Sequence, residues 1–213
     1  MNTLIRLLIL AFASLTTASL QAQNFIQART TELGGDISFS SQSAPGSGSS
    51  VTVFTFNPYV GFMTASGFEI GVMPGIAIAS QGVYSQTQLN LFLAPSYNFK
   101  TAGNVYPYLE FLIGYNSVTE KNSFSFGGSS SSSQTAGGLG IGLDAGLKIN
   151  LAGNSLLLVK VQYLHQDYKE DETSTIYNGT GYTTVTTSVD HIVNTISLGL
   201  GFRIFIEPRT GKK

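Results

Sequence analysis

The sequence predicts an all-β chain folded as an eight-stranded, antiparallel, up-and-down barrel that crosses a membrane. Three observations carry this. Hydrophobicity repeats with a period of two in eight successive segments, the pattern of strands with two unlike faces. Charged residues make up only 11% of the 213-residue chain, under half of the ~25% usual for soluble domains. The apolar fraction of 42% is not raised to compensate, and no run after residue 22 reaches the ~20 apolar residues of a membrane-spanning helix. A closed barrel, apolar outside and polar inside, has this composition.

The segments follow one another with the same parity. Over 32–41, Leu33, Ile37 and Phe39 oppose Glu32, Asp36, Ser38 and Ser40. Over 52–63, Phe54, Phe56, Val60 and Phe62 oppose Thr55, Asn57, Tyr59 and Gly61. Over 68–80, Phe68, Ile70, Val72, Ile76 and Ile78 oppose Glu69, Gly71, Gly75 and Ala77. Over 87–99, Leu89, Leu91, Leu93 and Tyr97 oppose Gln88, Asn90, Ser96 and Asn98. Over 105–116, Leu109, Phe111, Ile113 and Tyr115 oppose Tyr108, Glu110 and Gly114. The cleanest alternation is 139–151, where Leu139, Ile141, Leu143, Ala145, Leu147, Ile149 and Leu151 interleave with Gly140, Gly142, Asp144, Gly146, Lys148 and Asn150. Over 156–167, Leu157, Val159, Val161 and Tyr163 oppose Lys160, Gln162 and Gln166. Over 189–206, Ile196, Leu198, Leu200, Phe202 and Ile204 oppose Ser197, Gly199, Gly201 and Arg203.

The links between segments alternate in length. Those at 64–67, 100–104 and 152–155 are short, and those at 42–51, 81–86, 117–138 and 168–188 are longer. Short turns on one rim and long loops on the other suit a membrane barrel. The serine run 129–133 reads as a low-complexity, mobile loop. A β-sandwich and a lipocalin-type barrel are the soluble alternatives. Both would turn the polar face to water and coat it with charge. Here that face is mostly Gly, Ser, Asn, Gln and Thr, the filling of a narrow polar interior.

The chain opens with Arg6, an apolar run over 7–15 and small residues ending at Ala22. That order is an export signal, so residues 1–22 are expected to be removed. The barrel domain is expected over 23–206, with a short tail over 207–213. With Arg6 gone the formal charge is −2, which gives nucleic acid nothing to bind. The absence of cysteine excludes disulfide staples and thiolate metal sites.

Phe56-Asn57-Pro58-Tyr59-Val60-Gly61-Phe62 resembles a second-strand pattern of the outer membrane β-barrel domain family, the opacity-like and porin-family small eight-stranded barrels, in its Bacteroidetes-type members. Ser197-Leu198-Gly199-Leu200-Gly201-Phe202-Arg203-Ile204 is similar to that family's C-terminal assembly signal. The tail beyond it departs from members that stop at a terminal aromatic. The resemblance implies residence in the cell outer membrane, contact with its lipid, and recognition of the strand from Ser197 to Ile204 by the barrel-assembly machinery.

The inward charges Glu69, Glu110, Asp144, Lys148, Lys160 and Arg203 are expected to form an interior polar network, since opposite charges fall on several strands at similar depth. The acids among them could instead be read as a catalytic carboxylate pair or a cation path. His165 and His191 fall on opposite parities, against a shared metal site. The pair His-x-Ser of lipid A deacylases is replaced by His165-Gln166-Asp167, without a nucleophile. Tyr59, Tyr97, Tyr106, Tyr108, Tyr115 and Tyr163 are expected in interface girdles or in the interior. No catalytic, cofactor or metal residue is assigned, and no enzyme is expected. The expected role is structural, surface-interacting or adhesive, with an extracellular ligand at the long loops. A narrow channel and a lipid-modifying enzyme are the alternatives.

Overall fold

The computed structural model describes residues 26–43, 50–81, 84–125, 129–177 and 182–207. The segment read as an export signal and residues 208–213 of the tail lie outside them. Eight strands follow in order: β1 (Thr31–Ser43), β2 (Ser50–Ala65), β3 (Phe68–Gln81), β4 (Tyr84–Asn98), β5 (Val105–Ser125), β6 (Ser129–Ala152), β7 (Ser155–Tyr177) and β8 (Tyr182–Ile206). Each pairs antiparallel with the next, and β8 pairs with β1 to close the barrel. Closure leaves the paired wall without an edge, as hydrocarbon demands of a backbone that has no water to bond.

The expected parity places every outward residue. Phe39, Phe62, Ile78, Leu91, Ile113, Leu143, Val161 and Leu200 all stand exposed on the outer wall. Along β3 the outward series from Phe68 to Ile78 climbs roughly 33 Å at ~3.3 Å per residue. Tilted by ~40°, it makes a band roughly 25 Å tall, the height of a hydrocarbon core. Tyr97 and Phe99 pack edge to face with centroids 5.0 Å apart near the short-turn end, and Tyr115 and Tyr163 stand outward toward the other. Tyr59, Tyr106 and Tyr108 point inward and are buried. Leu93 sits mid-band, in register with Val72 and Ile113. Leu93→Arg is expected to destabilise the folded barrel by roughly 2–4 kcal/mol, read by urea unfolding in lipid vesicles. A change below about 1 kcal/mol would mean that this face does not meet hydrocarbon.

Three sequence expectations are corrected. Strands β5 to β8 run well past their expected ends, so most of 117–138 and 168–188 is paired strand rather than loop. The serines at 129–133 are part of β6, in register with 121–125 of β5. The interior is also less polar than its parity suggested. Met63, Met73, Phe92, Leu112, Leu156, Leu158 and Leu164 all face inward and are buried.

The short-turn end is stoppered. Ile26, just before β1, is buried with Met63, Tyr106, Tyr108, Leu156, Leu158 and Phe205. The turn after β2 holds it: Gly67 N–H and Ser66 Oγ both donate to the Ile26 carbonyl, at 3.3 and 3.2 Å. Gly67 has φ +85°, a left-handed conformation that a side chain would strain.

Candidate functional site

The site that the fold builds is the filled lumen. Its charges come from strands far apart in sequence, brought together because every strand turns the same parity inward. Near the short-turn end, Lys148 Nζ lies 2.8 Å from Glu32 Oε1 and 2.9 Å from Glu69 Oε2. Arg203 Nη1 lies 3.3 Å from Glu32 Oε2, and its Cζ sits 3.4 Å from the Tyr59 ring centroid. Tyr59 Oη donates to Glu69 Oε1 at 2.9 Å. Ser96 Oγ and Asn98 Nδ2 donate to Glu69 Oε2.

A second cluster lies one step toward the long-strand rim. Lys160 Nζ is 2.7 Å from Asp144 Oδ2 and 3.0 Å from Asp36 Oδ2. Asn57 Nδ2 donates to Asp36 Oδ1 at 2.9 Å, and Gln162 Nε2 to Asp144 Oδ2 at 3.2 Å. All these charged side chains are fully buried. Each ammonium is thus shared between two carboxylates, the arrangement that lets a desolvated charge persist in a low-dielectric interior.

The six charges singled out in the sequence all lie in this lumen. The structure joins Glu69 to Lys148 and Asp144 to Lys160. It does not bring Glu110 into an ion pair. Glu110 is fully buried in register with Asp144 and Ser96, and neither of its oxygens has a hydrogen-bond partner among the described residues. Two principal acceptors, Glu32 and Asp36, were not among those six. Their inward parity on β1 was the available signal. Tyr59 was also missed as the residue that joins Arg203 to Glu69.

Above the charges, Tyr59, Met73, Phe92, Ala94, Leu112 and Leu164 form an apolar layer. Above that is a cavity of about 30 Å³, lined by uncharged polar side chains such as Gln88, Asn90, Gln162 and Gln166 over the Phe92 and Leu164 floor. It has room for about two waters. On the outer wall, Asn194 Oδ1 accepts from His165 Nδ1 and from Tyr163 Oη, both at 2.8 Å. His191 is exposed on β8, in register with Tyr168. Asp167, two residues beyond His165, is also exposed.

No family model matches the chain. No curated protein matches it either. Among solved structures it resembles the outer membrane protein OprG from Pseudomonas aeruginosa, with TM-score 0.57 and 16% identity over 85% of this chain and 98% of that one. Neisserial surface protein A gives TM-score 0.55 and 18% identity, covering 82% and 96%. A major outer membrane protein from Thermus thermophilus gives 0.51 and 13%, covering 83% and 99%. At these identities the likeness shows the barrel fold. The apolar band around a closed strand wall gives the location, the outer membrane.

Proposed function

We propose that this outer-membrane barrel is a non-conducting, non-enzymatic surface protein, whose rim on the long-strand side engages an extracellular ligand. The observation that supports it most is the lumen itself. Glu32, Asp36, Glu69, Asp144, Lys148, Lys160 and Arg203 are locked in fully buried ion pairs, between an apolar stopper at one end and an apolar layer at the other. Such a lumen is a core, and what remains to act is the wall and the rim. The wall contacts outer-membrane lipid. The strand from Ser197 to Ile204 serves as the mark by which the barrel-assembly machinery recognises the chain. On the wall, His165 is oriented by Asn194, but the residue two positions on is Asp167 rather than a hydroxyl nucleophile.

Planar-bilayer recording of the purified protein tests the reading. The expected result is a quiet membrane, because moving an ion through would require breaking several desolvated pairs at once. Steady single-channel openings of the unmodified protein would overturn it in favour of a narrow channel. A changed lipid A mass after expression would overturn its non-enzymatic part.

A further inference from the structure

Strands β5 to β8 outgrow β1 to β4, and the register shows where the extra length lacks a neighbour. β8 pairs with β7 from Ile204 up to Tyr182, opposite Tyr177. On its other side, among the described residues, β8 pairs with β1 from Ile206 only as far as Ser197, opposite Ser40. Continuing that register would set Ser43 level with Asn194. Among the described residues, the span 182–190 of β8 has β7 as its one strand neighbour. It is a strand edge roughly 30 Å long at ~3.3 Å per residue.

The sequence of this edge is Tyr-Thr-Thr-Val-Thr-Thr-Ser-Val-Asp. It is rich in β-branched residues and has neither the proline nor the lysine with which exposed edges are commonly blunted. Its setting is acidic. Asp190 is its one formal charge, and Glu170, Asp171 and Glu172 of β7 are in register with Val189, Ser188 and Thr187. The hairpin arms carry five acids, counting Asp167, against one base, Lys169, which stands 4.0 Å from Asp190. A strand added to β8 would lie ~4.8 Å from it and ~10 Å from the β7 backbone, about one Debye length from the acidic trio. A second copy of this chain would bring two acidic edges together. A basic segment would not meet that repulsion.

We infer that the β8 edge over 182–190 takes up an extended, basic polypeptide segment as an added strand, through main-chain hydrogen bonds and attraction to the flanking acids. This rests on the surface-interaction reading and names the partner's chemistry. The test uses the whole protein in lipid nanodiscs and three synthetic peptides of about ten residues. One alternates Thr or Val with Lys, one replaces every Lys with Glu, and one is the Lys peptide interrupted by prolines.

The Lys peptide is expected to slow hydrogen exchange at the amides of 182–190 roughly tenfold, and to bind at least roughly tenfold more tightly than the Glu peptide. The proline peptide, which cannot complete a ladder, should leave those amides unprotected. Combining Glu170→Gln, Asp171→Asn and Glu172→Gln should weaken the Lys peptide roughly fivefold without altering the barrel's heat-modifiable migration. Equal binding of the proline peptide, protection elsewhere, or self-association through this edge would each overturn the inference. Bilayer recording on the same preparation separates the two readings. A conducting barrel with a protected edge overturns the closed-core reading alone, and a quiet barrel with an unprotected edge overturns the docking site alone.

Discussion

Replacing Lys148 with methionine is expected to lower the unfolding free energy by about 3–5 kcal/mol, the cost of removing one partner from a buried ion pair. Lys148 stands between Glu32 and Glu69, at 2.8 and 2.9 Å, and all three side chains are fully buried. Without the ammonium, Glu32 keeps Arg203 at 3.3 Å and Glu69 keeps its hydrogen bonds from Tyr59, Ser96 and Asn98, but the cation shared by the two carboxylates is gone. Repulsion and missing hydrogen bonds then act together. Adding Glu69→Gln to Lys148→Met should recover part of the loss, because one of the two stranded charges goes with it. Glu110→Gln makes the contrast: Glu110 has no hydrogen-bond partner among the described residues, so neutralising it should be near neutral or stabilising. Urea unfolding in vesicles reads all three. A Lys148→Met deficit under about 1 kcal/mol would mean that the pairs do not hold the lumen together.

Gly71→Val is expected to cost about as much, by a different route. A Cβ at residue 71 would meet the Oη, Cζ and Cε2 atoms of Tyr59, and Gly61 faces the same ring from β2. The two glycines make the slot in which the Tyr59 ring lies. Filling it costs about 1–3 kcal/mol in overpacking. It also drives Tyr59 off Glu69 and off the Arg203 guanidinium that it covers, and the hydrogen bond to a charged group is worth about 1.5–3 kcal/mol. Together these come to about 2.5–6 kcal/mol. A double-mutant cycle gives the decisive sign. With Tyr59→Ala already present, adding Gly71→Val should cost less than about 1 kcal/mol. An undiminished cost would show that the glycine serves the strand backbone rather than the ring.

The wall of the barrel was legible in the sequence because hydrocarbon meets one face and packed lumen the other. Period-two alternation is the direct record of that difference, and it placed Leu139 to Leu151 and their glycine neighbours correctly. The ends of β5 to β8 were not legible for the same reason. The stretches from 117 to 138 and from 168 to 188 are rich in Ser, Thr and Gly and carry no sustained apolar alternation, although the described residues among them pair. Parity also put the charges inside. It could not say which acid meets which base, since depth depends on the stagger between strands. Lys148 finds Glu32 116 residues away, and Glu110, which looked equivalent to Glu69, is left outside the pairing. The inward apolar layer was missed at Phe92 and Leu112 because each sits between outward apolar neighbours, Leu91 and Leu93 or Phe111 and Ile113, where alternation fades locally.

The ion pairs of β1 also bear on how the molecule is made. Glu32 and Asp36, on the first strand, have their cationic partners on the last three: Lys148 on β6, Lys160 on β7 and Arg203 on β8, at sequence separations of 116, 124 and 171. The strand that emerges first therefore carries acids that cannot be neutralised until almost the whole chain is present. An incomplete sheet bearing β1 to β5 has nowhere low in energy to put them. Lumen charge and edge closure are satisfied in the same event, so the barrel should form late and all at once, with loop-closure entropy as the main barrier. Its folding would be concerted even though each of its hairpins is local.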